Sequence, residues 1–154
     1  MKVNPHKSST GMDANTLALL CYIGAFVLSW IPVIKWVAWA VPLVIFFIEK
    51  GSPFVKFHAM QALLLEAVNF ILGLVLGIIS GVVTAAYLSS IYSYDSFGAG
   101  AGGLMVIGAL SVIIGIAITV FAIIALIKAG GYYEYKLPVI GNLAQKWSRK
   151  GMPM

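Results

Sequence analysis

Residues Phe54 to Phe70 read FVKFHAMQALLLEAVNF, where, after Lys56, a histidine, a glutamine, a glutamate and an asparagine interrupt an apolar run. Whether these four groups lie inside a membrane or straddle its edge decides how the chain is threaded. The whole chain has 154 residues, 61% hydrophobic and 10% charged, with a mean hydropathy of +0.99. A soluble domain of this size needs charge on its wet surface, and this chain has too little. It reads as one integral membrane domain.

Working outward from the stretch gives four apolar segments, at 17–31, 33–48, 56–88 and 104–127. A spanning helix needs about 20 apolar residues to cross roughly 30 Å of hydrocarbon. The last two segments exceed that. The first two are short, and are either two thin spans or one segment broken at WIPVIKW. The basic residues discriminate between these. With four crossings, Lys2, Lys7, Lys50, Lys56, Lys128, Lys136, Lys146, Arg149 and Lys150 share one side, and only Lys35 falls on the other. Such a bias marks the cytoplasmic face. The expected fold is therefore all-α: a four-helix integral membrane protein, two short helices followed by two long ones, with both termini cytoplasmic, in a prokaryotic plasma membrane.

Aromatic residues agree with this threading. Trp30, Trp36 and Trp39 bracket Lys35 at the outer turn, and Tyr87, Tyr92 and Tyr94 mark the outer end of the third helix. Tyr132, Tyr133, Tyr135 and Trp147 fall at the inner face. The connection SSIYSYDSFGAGAGG reads as a mobile outer loop, and its one acid, Asp95, has no ligand-type neighbour. Residues 1–16 form a polar tail, disordered until Asp13 or Asn15 caps the first helix. The membrane domain covers 17–130. Residues 131–154 are a basic tail, either a short amphipathic helix on anionic headgroups through Ile140, Leu143, Ala144 and Trp147, or disordered. No cleavable signal segment is expected.

At about 100° per residue, His58, Gln61, Glu66 and Asn69 share one stripe of the third helix. Deeper in, the stripe turns small, with Gly73, Gly77 and Gly81 at intervals of four. Gly108, Ser111, Gly115 and Thr119 offer a matching face on the fourth helix, so these two surfaces are expected to pack. Counting back from Tyr87 puts Glu66 at the inner hydrocarbon boundary. Counting from Lys56 instead sinks it roughly 15 Å inward, where an ionisable group becomes a functional candidate. Lys128 follows the long fourth segment and supports the shallow placement, with an interfacial Glu66–Lys128 ion pair. His58 reads as a hydrogen-bonded edge residue, since a ligand role needs partners and His6 is remote in sequence. Cys21, the single cysteine, reads as a small buried hydrophobe. No metal, cofactor or catalytic residues are expected.

Three stretches carry a resemblance: LALLCYIGAF, IEKGSPFVKFHAMQAL and IALIKAGGYYEYKLP, in that order between Leu17 and Pro138. The chain resembles small prokaryotic membrane proteins similar to Tic-twenty, the multi-span component of the chloroplast inner-envelope import machinery. Some small magnetosome membrane proteins resemble the same group. The most specific part is Ser52, Pro53, Phe54, Val55, Phe57, His58, Gln61, Ala62 and Leu63, followed by Lys128, Ala129, Tyr135 and Pro138. Lys56 and Met60 stand where an acidic and a basic residue are usual. The resemblance implies a four-helix membrane fold and no catalytic activity.

Paired carboxylates, Ser-His or Cys-His sets and metal-ligand spacings are missing from the sequence, which argues against an intramembrane enzyme. Two readings stand. The chain is a scaffold or assembly subunit that self-associates or binds a membrane partner, or it is a subunit of an oligomeric transport or import-like channel. A basic face on a soluble module, as nucleic-acid binding requires, is not visible.

Overall fold

The computed structural model describes the backbone of residues 1–90 and 94–149, and side chains at 1–89 and 100–149. Expectations attached to Tyr92, Asp95, Lys150 and the ring of Tyr94 lie outside the described residues. The elements are α1 (Ala14–Ser29), a 3-10 turn (Ile34–Val37), α2 (Ala40–Ile48), α3 (Pro53–Ser90), α4 (Tyr94–Gly130) and α5 (Ile140–Ser148). The expected order of two short helices and then two long ones is present, with no strand among the described residues. α3 and α4 are long and apolar enough to cross a membrane.

Local chemistry sets the boundaries. α1 stops at Ser29, ahead of Pro32, which cannot continue a helix and disfavours helical backbone at the residue before it. Pro42 falls in the first turn of α2, where a missing N–H is tolerated because the first four donors have no partner within the helix. α3 opens with Ser52 as cap and Pro53 at its first position. Val55 N–H donates to Ser52 Oγ at 3.2 Å. α4 ends in a left-handed residue, Tyr132 at φ 61°. There Tyr133 N–H reaches Lys128 O at 2.8 Å and Tyr132 N–H reaches Ala129 O at 3.1 Å, which satisfies the last carbonyls of the helix.

The chain forms two compact units, Met1–Ala67 with Val120–Met154, and Val68–Thr119. In the first, small residues of α1 (Ala14, Ala18, Cys21 and Ala25) are buried, as are Phe54, Val55, Phe57 and Ala62 of α3 and Ala125 and Ala129 of α4. α1 approaches α2 closely at Gly24, where a Cβ would lie 2.8 Å from Val41 Cγ1. Ala144 of α5 packs with Phe57 and Met60.

Three expectations are corrected. The stretch expected to be a mobile loop is helical from Tyr94, so α4 begins well before 104. In the second unit the close approach involves residues of that supposed loop. A Cβ on Gly100 would meet Tyr87 Cβ at 2.8 Å, and one on Gly103 would meet Val83 Cγ1 at 3.2 Å. By contrast, a Cβ on Gly73, Gly77, Gly81, Gly108 or Gly115 would meet nothing within 4 Å. Of the expected packing faces, Gly73, Gly77, Gly108, Ser111 and Gly115 instead line a cavity of about 390 Å³, together with Asn69 and Ser80. The Ser111 and Thr119 hydroxyls donate to their own helix, at Ile107 O and Gly115 O. Small residues permit approach but do not compel it, and here helix contact is made where an aromatic ring can sit on glycine. Finally, the first residues are fixed rather than disordered, as the site shows.

Candidate functional site

Tyr22 of α1, His58 and Gln61 of α3 and the strand-like stretch after α4 form one hydrogen-bonded cluster in the first unit. His58 and Gln61 are fully buried. Gln61 Nε2 donates to Tyr22 Oη at 3.2 Å and to Tyr135 O at 3.1 Å, and its Oε1 accepts Leu137 N–H at 3.1 Å. His58 Nε2 lies 3.1 Å from Tyr133 O, and Nδ1 lies 3.1 Å from Tyr22 Oη. A carbonyl can only accept, so Nε2 carries the proton and Nδ1 accepts from the tyrosine. Tyr22 Oη then receives from Gln61 and gives to His58. Each buried polar side-chain atom of the cluster has a partner. The arrangement clamps residues 133–137 onto α3.

An aromatic layer covers this cluster. Phe54 stacks on Tyr132 at 5.6 Å between centroids and meets His58 edge-on at 4.7 Å. His6 meets Phe54 and Tyr132 at 6.2 and 6.1 Å. Its Nε2 lies 2.7 Å from Ser52 Oγ and its Nδ1 lies 2.9 Å from Asn4 O. His6, set aside as remote in sequence, thus flanks the same phenylalanine as His58.

The N-terminal residues are bound as a strap. Val3 N–H donates to Tyr132 O and Glu134 N–H to Met1 O, both at 2.8 Å, and the Met1 ammonium donates to Glu134 O at 3.0 Å. Farther along, Ser9 N–H donates to both oxygens of Glu49, each at 3.1 Å. Gly51 and Ser52 N–H donate to Glu49 Oε1, each at 2.8 Å. The Glu49 side chain is fully buried. Burial alone would raise its pKa, but the N–H donors of Ser52, Ser9 and Gly51 outweigh it and hold the carboxyl below its ordinary value. Asp13 stands at the start of α1 but makes no capping bond. Its carboxylate pairs with Lys7 at 2.9 Å, while Asn15 Oδ1 accepts Thr16 N–H and Asn15 Nδ2 donates to Gly130 O.

The polar stripe is therefore divided. His58 and Gln61 belong to the cluster, Glu66 is half-buried, and Asn69 is exposed and lines the cavity of the second unit. The expected Glu66–Lys128 ion pair is not formed. Among the described residues the ion pairs are Lys7–Asp13 and Arg149–Glu134. Lys128 Nζ instead lies over the rings of Tyr133 and Tyr135, at 5.6 and 6.0 Å. The left-handed turn after α4 brings those rings back over the last helical turn, where a cation is also favoured by the helix dipole. Tyr22 and Glu49 went unassigned from sequence, and Tyr132 was read only as an inner-face aromatic. The signal for Glu49 was present in EKGSP, since an acid just before a Ser-Pro helix start can accept the turn's free N–H groups.

α5 forms where an amphipathic helix was one of two expectations. Its buried side is Gly141, Ala144 and Ser148, leaving Leu143 and Trp147 exposed beside Lys146.

Comparison with known proteins places this architecture. The magnetosome magnetite crystal formation protein family matches residues 13–144. A UPF0132 membrane protein of Methanocaldococcus jannaschii is 28% identical over 141 residues, spanning 91% of this chain and 74% of its own length. A second UPF0132 membrane protein of that organism is 26% identical over 143 residues, spanning 93% and 96%. No solved structure matches. The magnetosome side of the resemblance is the one the family match carries; the import-component name is in none of the matches. The relatives are named membrane proteins, and α3 and α4 fit membrane insertion. The matched residues take in Tyr22, Glu49, His58, Gln61 and the turn at Tyr132, and the chain belongs to the magnetosome magnetite crystal formation protein family.

Proposed function

We propose that the chain is a non-catalytic membrane scaffold or assembly subunit, acting through helix packing and partner binding. The carrying observation is the self-satisfied cluster. The polar groups a membrane enzyme would use, His58, Gln61 and Tyr22, are spent on one another and on the backbone of residues 133–137. The family's name ties its members to magnetite crystal formation. Of that role, the residues here support organising a membrane patch.

Both termini lie on one side in this reading, and the basic bias makes that side cytoplasmic, in a prokaryotic plasma membrane. Its support is the hydrogen bonding of Met1 and Val3 to residues 132 and 134, just past α4. Leu143, Trp147 and Lys146 are the contacts for anionic headgroups. Crosslinking in native membranes, followed by mild detergent extraction, tests the scaffold. A homo-oligomer or a constant protein partner is expected, and a monomer with neither refutes it.

The cavity of the second unit favours one alternative, a subunit of an oligomeric, import-like transport channel. Asn69, Ser80 and Ser111 give it polar points in an apolar wall. In that case a verified oligomer in liposomes passes ions or peptide, and Asn69→Leu abolishes the flux.

A further inference from the structure

The hairpin of α1, the 3-10 turn and α2 is too short for the bilayer that its polar ends demand. Its base is closed, because Ser9 N–H binds the Glu49 carboxylate and Lys50 N–H donates to Ser9 Oγ at 3.0 Å. Residues 9–14 and 49–52 therefore leave the apolar arms at one level, and Lys7, Asp13 and Lys50 keep that level wet. The tip carries Trp30, Trp36 and Trp39 around Lys35, with Trp30 75% and Trp36 62% exposed. Lys35 Nζ rests 5.3 Å from the centre of the Trp36 ring. Indoles and an ammonium group belong at a membrane–water interface.

The arms cannot connect two interfaces of an ordinary bilayer. α1 has 16 residues, a length of about 24 Å. The returning arm has 4 residues in the 3-10 turn, then Ala38 and Trp39, then 9 residues in α2, together about 25 Å at most. A typical hydrocarbon core is about 30 Å thick. The shortfall is about 5–6 Å of hydrophobic mismatch. The apolar sides of the arms are nonetheless exposed for lipid, with Phe26, Val27, Val44 and Phe47 each about half exposed or more. Pro32 and Pro42 bar the helices from lengthening into the turn.

We propose that this hairpin is a thickness sensor: pinned at both interfaces, it selects thin bilayer, and its ligand is a fluid lipid film with short acyl chains. The mismatch is relieved by gathering short lipids around the hairpin. This does not depend on the scaffold reading, because it concerns lipid rather than any protein partner.

Fluorescence quenching tests it. The chain has four tryptophans, so Trp147→Phe leaves only the tip indoles. The full-length variant is reconstituted in mixtures of brominated phosphatidylcholine with fourteen-carbon chains and unlabelled phosphatidylcholine with twenty-two-carbon chains, then with the label exchanged. The tip indoles should report short-chain lipid enriched around the hairpin by about threefold or more. Equal quenching, or enrichment of the long chains, overturns the proposal. Lys35→Leu in the same background should bring the ratio to about one, since an uncharged tip can rest in hydrocarbon. An unchanged ratio would assign the preference to other helices and also overturn it.

Discussion

Tyr132 stacks on Phe54, 5.6 Å between ring centres and 28° between planes, from left-handed backbone at φ 61°. The turn that ends α4 thus serves two needs: it satisfies the final carbonyls, and it aims the Tyr133 carbonyl at His58. A tyrosine holds a conformation that favours glycine. Tyr132→Ala keeps the strain and loses the stack, whereas Tyr132→Gly loses the stack but relieves the strain. Denaturation in detergent should therefore find Tyr132→Gly the less damaging by about 1 kcal/mol. Equal losses would mean that the backbone stores no strain.

Removing one hydroxyl from the cluster should be disproportionately costly. Tyr22→Phe leaves His58 Nδ1 without its donor and removes one acceptor of Gln61 Nε2, both buried. The expected loss is about 1–3 kcal/mol. A double-mutant cycle of Tyr22→Phe with Gln61→Leu should show coupling of about 0.5 kcal/mol or more. Additive losses would contradict a shared network.

Glu49 predicts a pH dependence. Its folded pKa is below the ordinary value of 4.5, so its contribution to stability is full above that value and fades as pH falls through the lower folded one. Thermal stability measured from neutral to strongly acidic pH should fall more steeply for the wild type than for Glu49→Gln. Parallel curves would show that the carboxylate gains nothing from its N–H donors.

The strap predicts slow amide exchange. Val3, Ser8, Ser9 and Ala14 all donate N–H bonds. Their amides should exchange more slowly than those of an unstructured tail, and Glu49→Gln should accelerate Ser9 without affecting Val3. Free exchange throughout residues 1–13 would restore the disordered tail.

Glycine positions should sort by contact rather than by motif. Gly100→Val should destabilise by about 1–3 kcal/mol through its clash with Tyr87, while Gly77→Ala should leave stability unchanged or higher. Equal damage at both sites would reinstate the glycine face as the packing surface. Double charge reversal at Glu66 and Lys128 should bring no rescue, since the lysine faces tyrosine rings.

Length, apolar content and the spacing of prolines were enough to read a membrane chain of two short helices followed by two long ones, because these depend on local composition and on what lipid excludes. The stripe bearing His58 and Gln61 was legible for the same reason, through helical periodicity. Its partners were not. His58 meets Tyr22 across 36 positions and the Tyr133 carbonyl across 75, and a backbone carbonyl leaves no trace in a side-chain pattern. The glycine repeats showed where helices could approach, while the site of closest approach in the second unit depended on where the Tyr87 ring lies. The identity of the polar residues was thus legible in the sequence, but which groups they bind was decided by hydrogen bonds that only the folded chain can close.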